Sequence, residues 1–96
     1  MAGYGWIITA DVLEGTTVNI TGPRDITPAH EAQLAAGEGA QFRMKDDDGE
    51  IYFVGRFVGD ANSEDAFGPL DDYGRPDSGC TSIEYFNPAK EKWQAL

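Results

Sequence analysis

Two short runs hold the side chains best suited to chemistry, and in both the reactive groups are carboxylates. Asp46-Asp47-Asp48-Gly49-Glu50 and Asp71-Asp72-Tyr73-Gly74-Arg75-Pro76-Asp77 offer the oxygen ligands that a hard cation such as calcium takes. A calcium loop, however, spaces its acids at alternate positions and sets a bidentate glutamate six residues after its glycine. In the first run the acids are consecutive, and Asp48-Gly49 between two alternating stretches is a hairpin signal. The second run is explained without an ion if Asp71 and Asp77 bond their own backbone in turns. The expectation is no metal site and no cofactor, with a weak calcium-binding domain as an alternative.

Nucleophilic chemistry has its residue types too: Cys80, His30 and any of the aspartates. No recognisable signature surrounds Cys80, and a small buried residue at the start of a strand is its expected place. With one cysteine and one histidine, the chain cannot form an internal disulfide or a zinc site of those ligands. Carboxylate pairs for glycoside hydrolysis are numerous. They need a cleft as well, which in 96 residues would consume much of the core. No glycine-rich phosphate loop is present. These readings point to a protein that is not an enzyme.

What does stand out is the distribution of charge. Ten of the seventeen carboxylates fall within residues 46–77, against Arg56 and Arg75 alone, so that window carries −8 of the chain's −10. Such a field repels nucleic acid and anionic lipid and attracts basic partners. No direct nucleic-acid contact is expected, Arg43, Lys45 and Arg56 being the only small basic cluster. No membrane contact is expected either: no apolar run approaches a span, and the first eleven residues lack the basic region of a secretory leader. The expected compartment is cytoplasmic.

The elements that must position these groups can be read from alternation and punctuation. Trp6, Ile8, Ala10 and Val12 alternate along a first strand, Gly5–Leu13, and Val18–Thr21 reads as a second, ended by Gly22-Pro23. Thr27 caps a helix over 28–36, with Pro28 at its first position and Gly37 closing it. In the central hairpin, pairing Asp47 with Glu50 sets Met44 opposite Phe53, Phe42 opposite Gly55 and Ala40 opposite Phe57 on one core face. Gln41, Arg43, Lys45, Tyr52, Val54 and Arg56 then take the other face. A slip of one residue would expose three phenylalanines together, so the register is well specified. Residues 60–80 read as one irregular acidic loop with Phe67, Leu70 and Tyr73 as anchors. Residues 81–86 and 92–96 make a last hairpin, in which the pattern leaves open whether Tyr85 or Phe86 faces inward.

The expected fold is α+β: residues 1–96 form a single domain with a small, mainly antiparallel, curved sheet of five to six strands, partial-barrel-like, and one short helix. Its core takes Trp6, Ile8, Val12, Leu34, Phe42, Met44, Phe53 and Phe57. The expected function is a small acidic protein-binding module. Asp47, Asp48, Glu50, Asp60, Glu64, Asp65, Asp71 and Asp72 would meet a basic protein surface, with Phe67 and Tyr73 as aromatic anchors. A nucleic-acid-binding protein suits that description, its channel filled by carboxylates imitating phosphates. Small inhibitors made by phages and mobile elements against defence nucleases share this size and charge. The alternative from another class is a housekeeping or structural domain whose acidity serves solubility, and three lysines in the chain suit a high-salt surface.

Overall fold

The computed structural model describes residues 3–96; Met1 and Ala2, which open the stretch read as lacking a leader, lie outside the described residues. Six strands form one antiparallel sheet: β1 (Gly5–Asp11), β2 (Thr16–Gly22), β3 (Ala40–Lys45), β4 (Ile51–Val58), β5 (Ser82–Asn87) and β6 (Lys92–Ala95). Their order is β2-β1-β4-β3-β5-β6, so the sheet is open, with β2 and β6 as free edges, and does not close into a full barrel. The fold is α+β. Helix α1 (Pro28–Ala35) begins as expected: the Thr27 hydroxyl accepts the His30 amide at 3.2 Å, Pro28 follows, and Gly37 at φ +80° turns the chain away. Among the described residues no helix is long and apolar enough to cross a membrane.

The central hairpin has the expected face and, near its tip, a different register. Ala40 faces Phe57, Phe42 faces Gly55 and Met44 faces Phe53. Beyond Met44 the pairing shifts, so that Lys45 faces Ile51 and the Asp46 amide donates to the Glu50 carbonyl at 3.1 Å. The expected Asp47–Glu50 pair is therefore incorrect. Asp46 closes the turn instead: its carbonyl accepts the Gly49 amide at 3.1 Å, and its Oδ1 accepts the Asp48 and Glu50 amides, each at 2.9 Å. The extra residue is absorbed by a bulge at Tyr52, whose side chain packs against the core and not on the outer face.

A second bulge explains the other misplacement. Ile8 faces Gly55 but Ala10 faces Val54, so Thr9 is an extra residue in β1 relative to β4. One inserted residue reverses the alternation beyond it. Ala10 turns to the outer face, the strand ends at Asp11, and Val12 is 45% exposed instead of lying in the core.

Hydrophobic burial occurs on both faces of the sheet. One face carries Trp6, Ile8, Phe42, Met44, Phe53, Phe57, Ile83 and Tyr85; the other buries Ile7 and Val58 beneath Leu34 of α1. Tyr85, not Phe86, is the inward residue of β5. The larger face is covered by residues 60–80, which are not an irregular loop. They form a 3₁₀ turn (Glu64–Phe67), one wide helical turn (Leu70–Gly74) and a short helix α2 (Arg75–Ser78), so the expectation of one helix is also corrected. Ala66, Leu70 and Gly74, four apart, are buried against the sheet. At Gly74 an added Cβ would sit 2.6 Å from the Met44 sulfur.

Phenols tie this helical layer down. Tyr85 OH donates to the Ala66 carbonyl at 2.7 Å, and Tyr4 OH donates to Asp72 Oδ2 at 2.8 Å. Burial pushes the Tyr85 phenol well above its ordinary value near 10, and burial together with the Asp72 carboxylate does the same at Tyr4. Tyr52 and Tyr73 are also raised, chiefly by a hydrogen bond to Asp46 and by burial respectively. A phenol with a raised folded pKa contributes stability in full below about pH 10, and loses it as pH climbs toward the folded value. Absorbance at 295 nm in an alkaline titration is expected to stay flat through pH 10 and then rise together with loss of the fold. Independent titration near pH 10 with the fold intact would contradict these placements.

Candidate functional site

The predicted contact residues lie partly at the β3–β4 hairpin tip and partly on the helical layer, not in a single patch. Asp47, Asp48 and Glu50 are exposed at the tip of the β3–β4 hairpin. Asp60, Glu64 and Asp65 lie beyond the other end of β4, so the eight residues of that strand, about 25 Å at 3.3 Å each, separate the two groups. The layer spans this gap. It leaves β4 near Asp60, crosses the core, and returns to the tip, where the Thr81 amide donates to the Lys45 carbonyl at 2.8 Å. Asp71 and Asp77 are exposed on its outer surface between the ends. Acidic side chains thus stand at both ends of β4 and on the layer between them, an acidic strip with its charge gathered at the two ends.

Among the described residues few of these groups meet a counter-charge. Among the described residues Asp47, Asp48, Glu50, Asp60, Glu64, Asp65 and Asp77 form no salt bridge, and only Asp71 does, with the Arg75 guanidinium at 2.8 Å. That pair is more than half exposed and joins neighbouring turns of the layer, so it contributes little stability. Several acids also shape the backbone: Asp60 Oδ1 accepts the Asn62 amide at 2.9 Å, and the Ser63 hydroxyl caps the next turn.

Asp72 has a different part. Its Oδ2 accepts the Tyr4 hydroxyl and, at 3.0 Å, the Trp6 indole N–H, so it joins the wide turn to β1. Its partners stand 66 and 68 residues away, and no local pattern in the chain announces them. Trp6 is buried, and removing its acceptor leaves an indole donor without a partner. Asp72→Ala is expected to cost about 2 kcal/mol in urea unfolding, from the desolvated donor, while Asp71→Ala stays within about 0.5 kcal/mol. Equal effects of the two substitutions would refute the distinction.

The aromatic anchors also separate. Phe67 is 37% exposed and shares a surface groove with Leu96, as an anchor requires. Tyr73 is half-buried, its ring 5.2 Å from Phe53 and 5.7 Å from Trp6, and so belongs mainly to the core.

The opposite face of the sheet has the reverse character. Arg43, Lys45 and Arg56 project there, with Glu84 bridging the first two at 2.6 and 3.1 Å. The Arg43 guanidinium lies 4.3 Å from the centre of the Trp93 ring, which in turn meets Phe86 edge-on at 5.4 Å. Trp93, Gln41, Thr9, Val54 and Arg56 line a shallow groove of about 300 Å³. Three of the chain's seven bases thus stand on the face of the sheet opposite the helical layer. Alternation in β6 alone could have pointed to Trp93, had its pairing been known.

Cys80 and His30 lie on opposite sides of the sheet. Cys80 is buried under the helical layer, its thiol pKa raised by burial, with Ser78 Oγ at 3.5 Å. His30 sits on α1, against the other face of the sheet. Among the described residues no three histidine, cysteine or acidic side chains gather where they could hold a metal ion. No family model matches the chain, and no curated protein or solved structure matches it either.

Proposed function

We propose that this chain is a small, non-catalytic protein-binding module whose acidic strip docks on a basic surface of another protein, one built to hold nucleic acid. One observation carries the reading: acidic side chains at both ends of β4 and on the layer between them, of which, among the described residues, only Asp71 forms a salt bridge. Asp47, Asp48 and Glu50 stand at one end of about 25 Å of strand and Asp60, Glu64 and Asp65 at the other, with Asp71 and Asp77 on the layer between them. A channel lined with bases to hold phosphates would meet carboxylates at both ends of such a surface. Phe67 adds desolvated apolar area at one end, which binding needs beyond charge. Separation of Cys80 from His30 by the sheet supports the non-catalytic part.

Inhibition is the direct consequence, because a protein occupying such a channel excludes the nucleic acid, as a phage or mobile-element product acting on a defence nuclease would. The test is affinity capture from host or prey lysate at low salt. Wild type is compared with Asp47→Lys/Asp48→Lys and with Glu64→Lys/Asp71→Lys, which spare Asp72 and hence the fold. Basic nucleic-acid-binding proteins are expected with wild type and not with either variant. Identical captures would refute docking and leave acidity as a solubility device.

A further inference from the structure

The edge strand β2 is unusual for what it lacks. Thr16-Thr17-Val18-Asn19-Ile20-Thr21-Gly22 has neither charge nor proline, the usual devices that keep an edge from pairing. Among the described residues its backbone hydrogen-bonds only to β1, so its outer row of amides and carbonyls faces solvent. The other edge, β6, is four residues long and carries Lys92.

Neither helical layer reaches over β2. On the core side an open cleft of about 590 Å³ lies between the strand and the wide turn, with Trp6, Tyr73, Ile20 and the Asp72 carboxylate on its walls. On the other side a cleft of about 640 Å³ separates Asn19 and Thr21 from α1, where Glu31 and Leu34 stand. Both clefts flank the same half of the strand, Asn19–Gly22. A strand added at this edge would drop its alternating side chains into one cleft and then the other.

We infer that β2 receives an extended segment of a basic partner, which joins the sheet as a seventh strand and sends lysine or arginine side chains into both clefts. The inference rests on the reading of this chain as a binder of basic proteins and deepens it. Charge complementarity selects the occupant. The Asp72 carboxylate beside two aromatic rings suits a cation on an aliphatic stem, and Glu31 offers the same on the far side. Among the described residues Arg24 is the only base at either cleft. A second copy of the chain fits poorly. Two β2 strands related by a twofold axis would set one uncharged edge against another. They would also bring no positive side chains to the clefts.

The test uses the intact protein, labelled with ¹⁵N, and a nonapeptide of alternating lysine and threonine. Its partners are a glutamate–threonine counterpart and the lysine peptide N-methylated at alternate backbone nitrogens, which keeps every charge but cannot complete a ladder. Amide shifts are expected to concentrate at Asn19–Gly22. N-methylation is expected to weaken binding about tenfold or more, the loss of one or two net backbone hydrogen bonds. Glu31→Lys should weaken it severalfold. Equal binding of the methylated peptide would overturn strand addition while leaving charge-driven docking intact. Shifts confined to the hairpin tip, equal binding of the glutamate peptide, or a dimer whose contact maps to β2 would overturn it as well.

Discussion

Gly55→Val is expected to lower the melting temperature by about 12–24 °C, the equivalent of about 3 kcal/mol in a domain of this size. Gly55 sits mid-strand in β4, opposite Phe42 and beside the point where β1 bulges. A Cβ there would collide with the Ile7 carbonyl oxygen and come within 2.8 Å of the Phe42 ring. The oxygen belongs to backbone and cannot rotate away. Either β1 separates from β4, or Phe42, which is fully buried, must leave its position. Both responses strike the centre of the sheet. Total stability for a domain of this length is about 5–14 kcal/mol, so one substitution removes a large share. The control is Gly49→Ala at the hairpin tip, where φ is +80° but space is open; only the backbone strain of about 1 kcal/mol applies. Thermal unfolding of the two variants in parallel checks the account, and a Gly55 variant as stable as the Gly49 variant would contradict it.

The second large effect concerns docking. Association of wild type with a captured basic partner is expected to slow by about one to two orders of magnitude as salt rises from low to half-molar, because steering by the strip is screened within about 10 Å at 0.1 M. Each double charge reversal should reduce the association rate about tenfold at low salt and leave the dissociation rate nearly unchanged, as is usual for exposed charges. Because the two variants alter residues on separate elements, the hairpin tip and the helical layer, their effects should add. Phe67→Ala is expected to behave in the opposite way, raising dissociation with little change in association. Stopped-flow or surface-based kinetics across a salt series separates these behaviours. Salt-independent association would show that charge does not guide the encounter.

Much of the sheet was legible because burial imposes a period of two. Phe42, Met44, Phe53 and Phe57 share a face in the register that sets Met44 opposite Phe53, and that register is present. Bulges were not legible, since an inserted residue leaves the composition of a strand unchanged and reverses only the residues beyond it. Val12 and the Asp47–Glu50 pairing failed for that reason, at Thr9 and Tyr52. The 60–80 segment was misread because Gly68-Pro69 and Gly74-Arg75-Pro76 look like breaks in any local reading. Packing overrides them: glycine at 74 is needed where the chain meets Met44, and the buried spacing of Ala66, Leu70 and Gly74 was the signal available. For the candidate site, exposure of the acids could be read from their number alone. Their arrangement as a strip could not, because it depends on where the helical layer crosses the sheet.

Competition tests the central claim most directly. A captured partner is held at constant concentration with a labelled DNA or RNA duplex, and this protein is added while fluorescence anisotropy reports the bound duplex. Wild type is expected to release the duplex, completely and near stoichiometry, with Asp47→Lys/Asp48→Lys and Glu64→Lys/Asp71→Lys each needing about tenfold more protein. Retention of the duplex at saturating wild-type protein, or equal release by the reversed variants, would contradict the account.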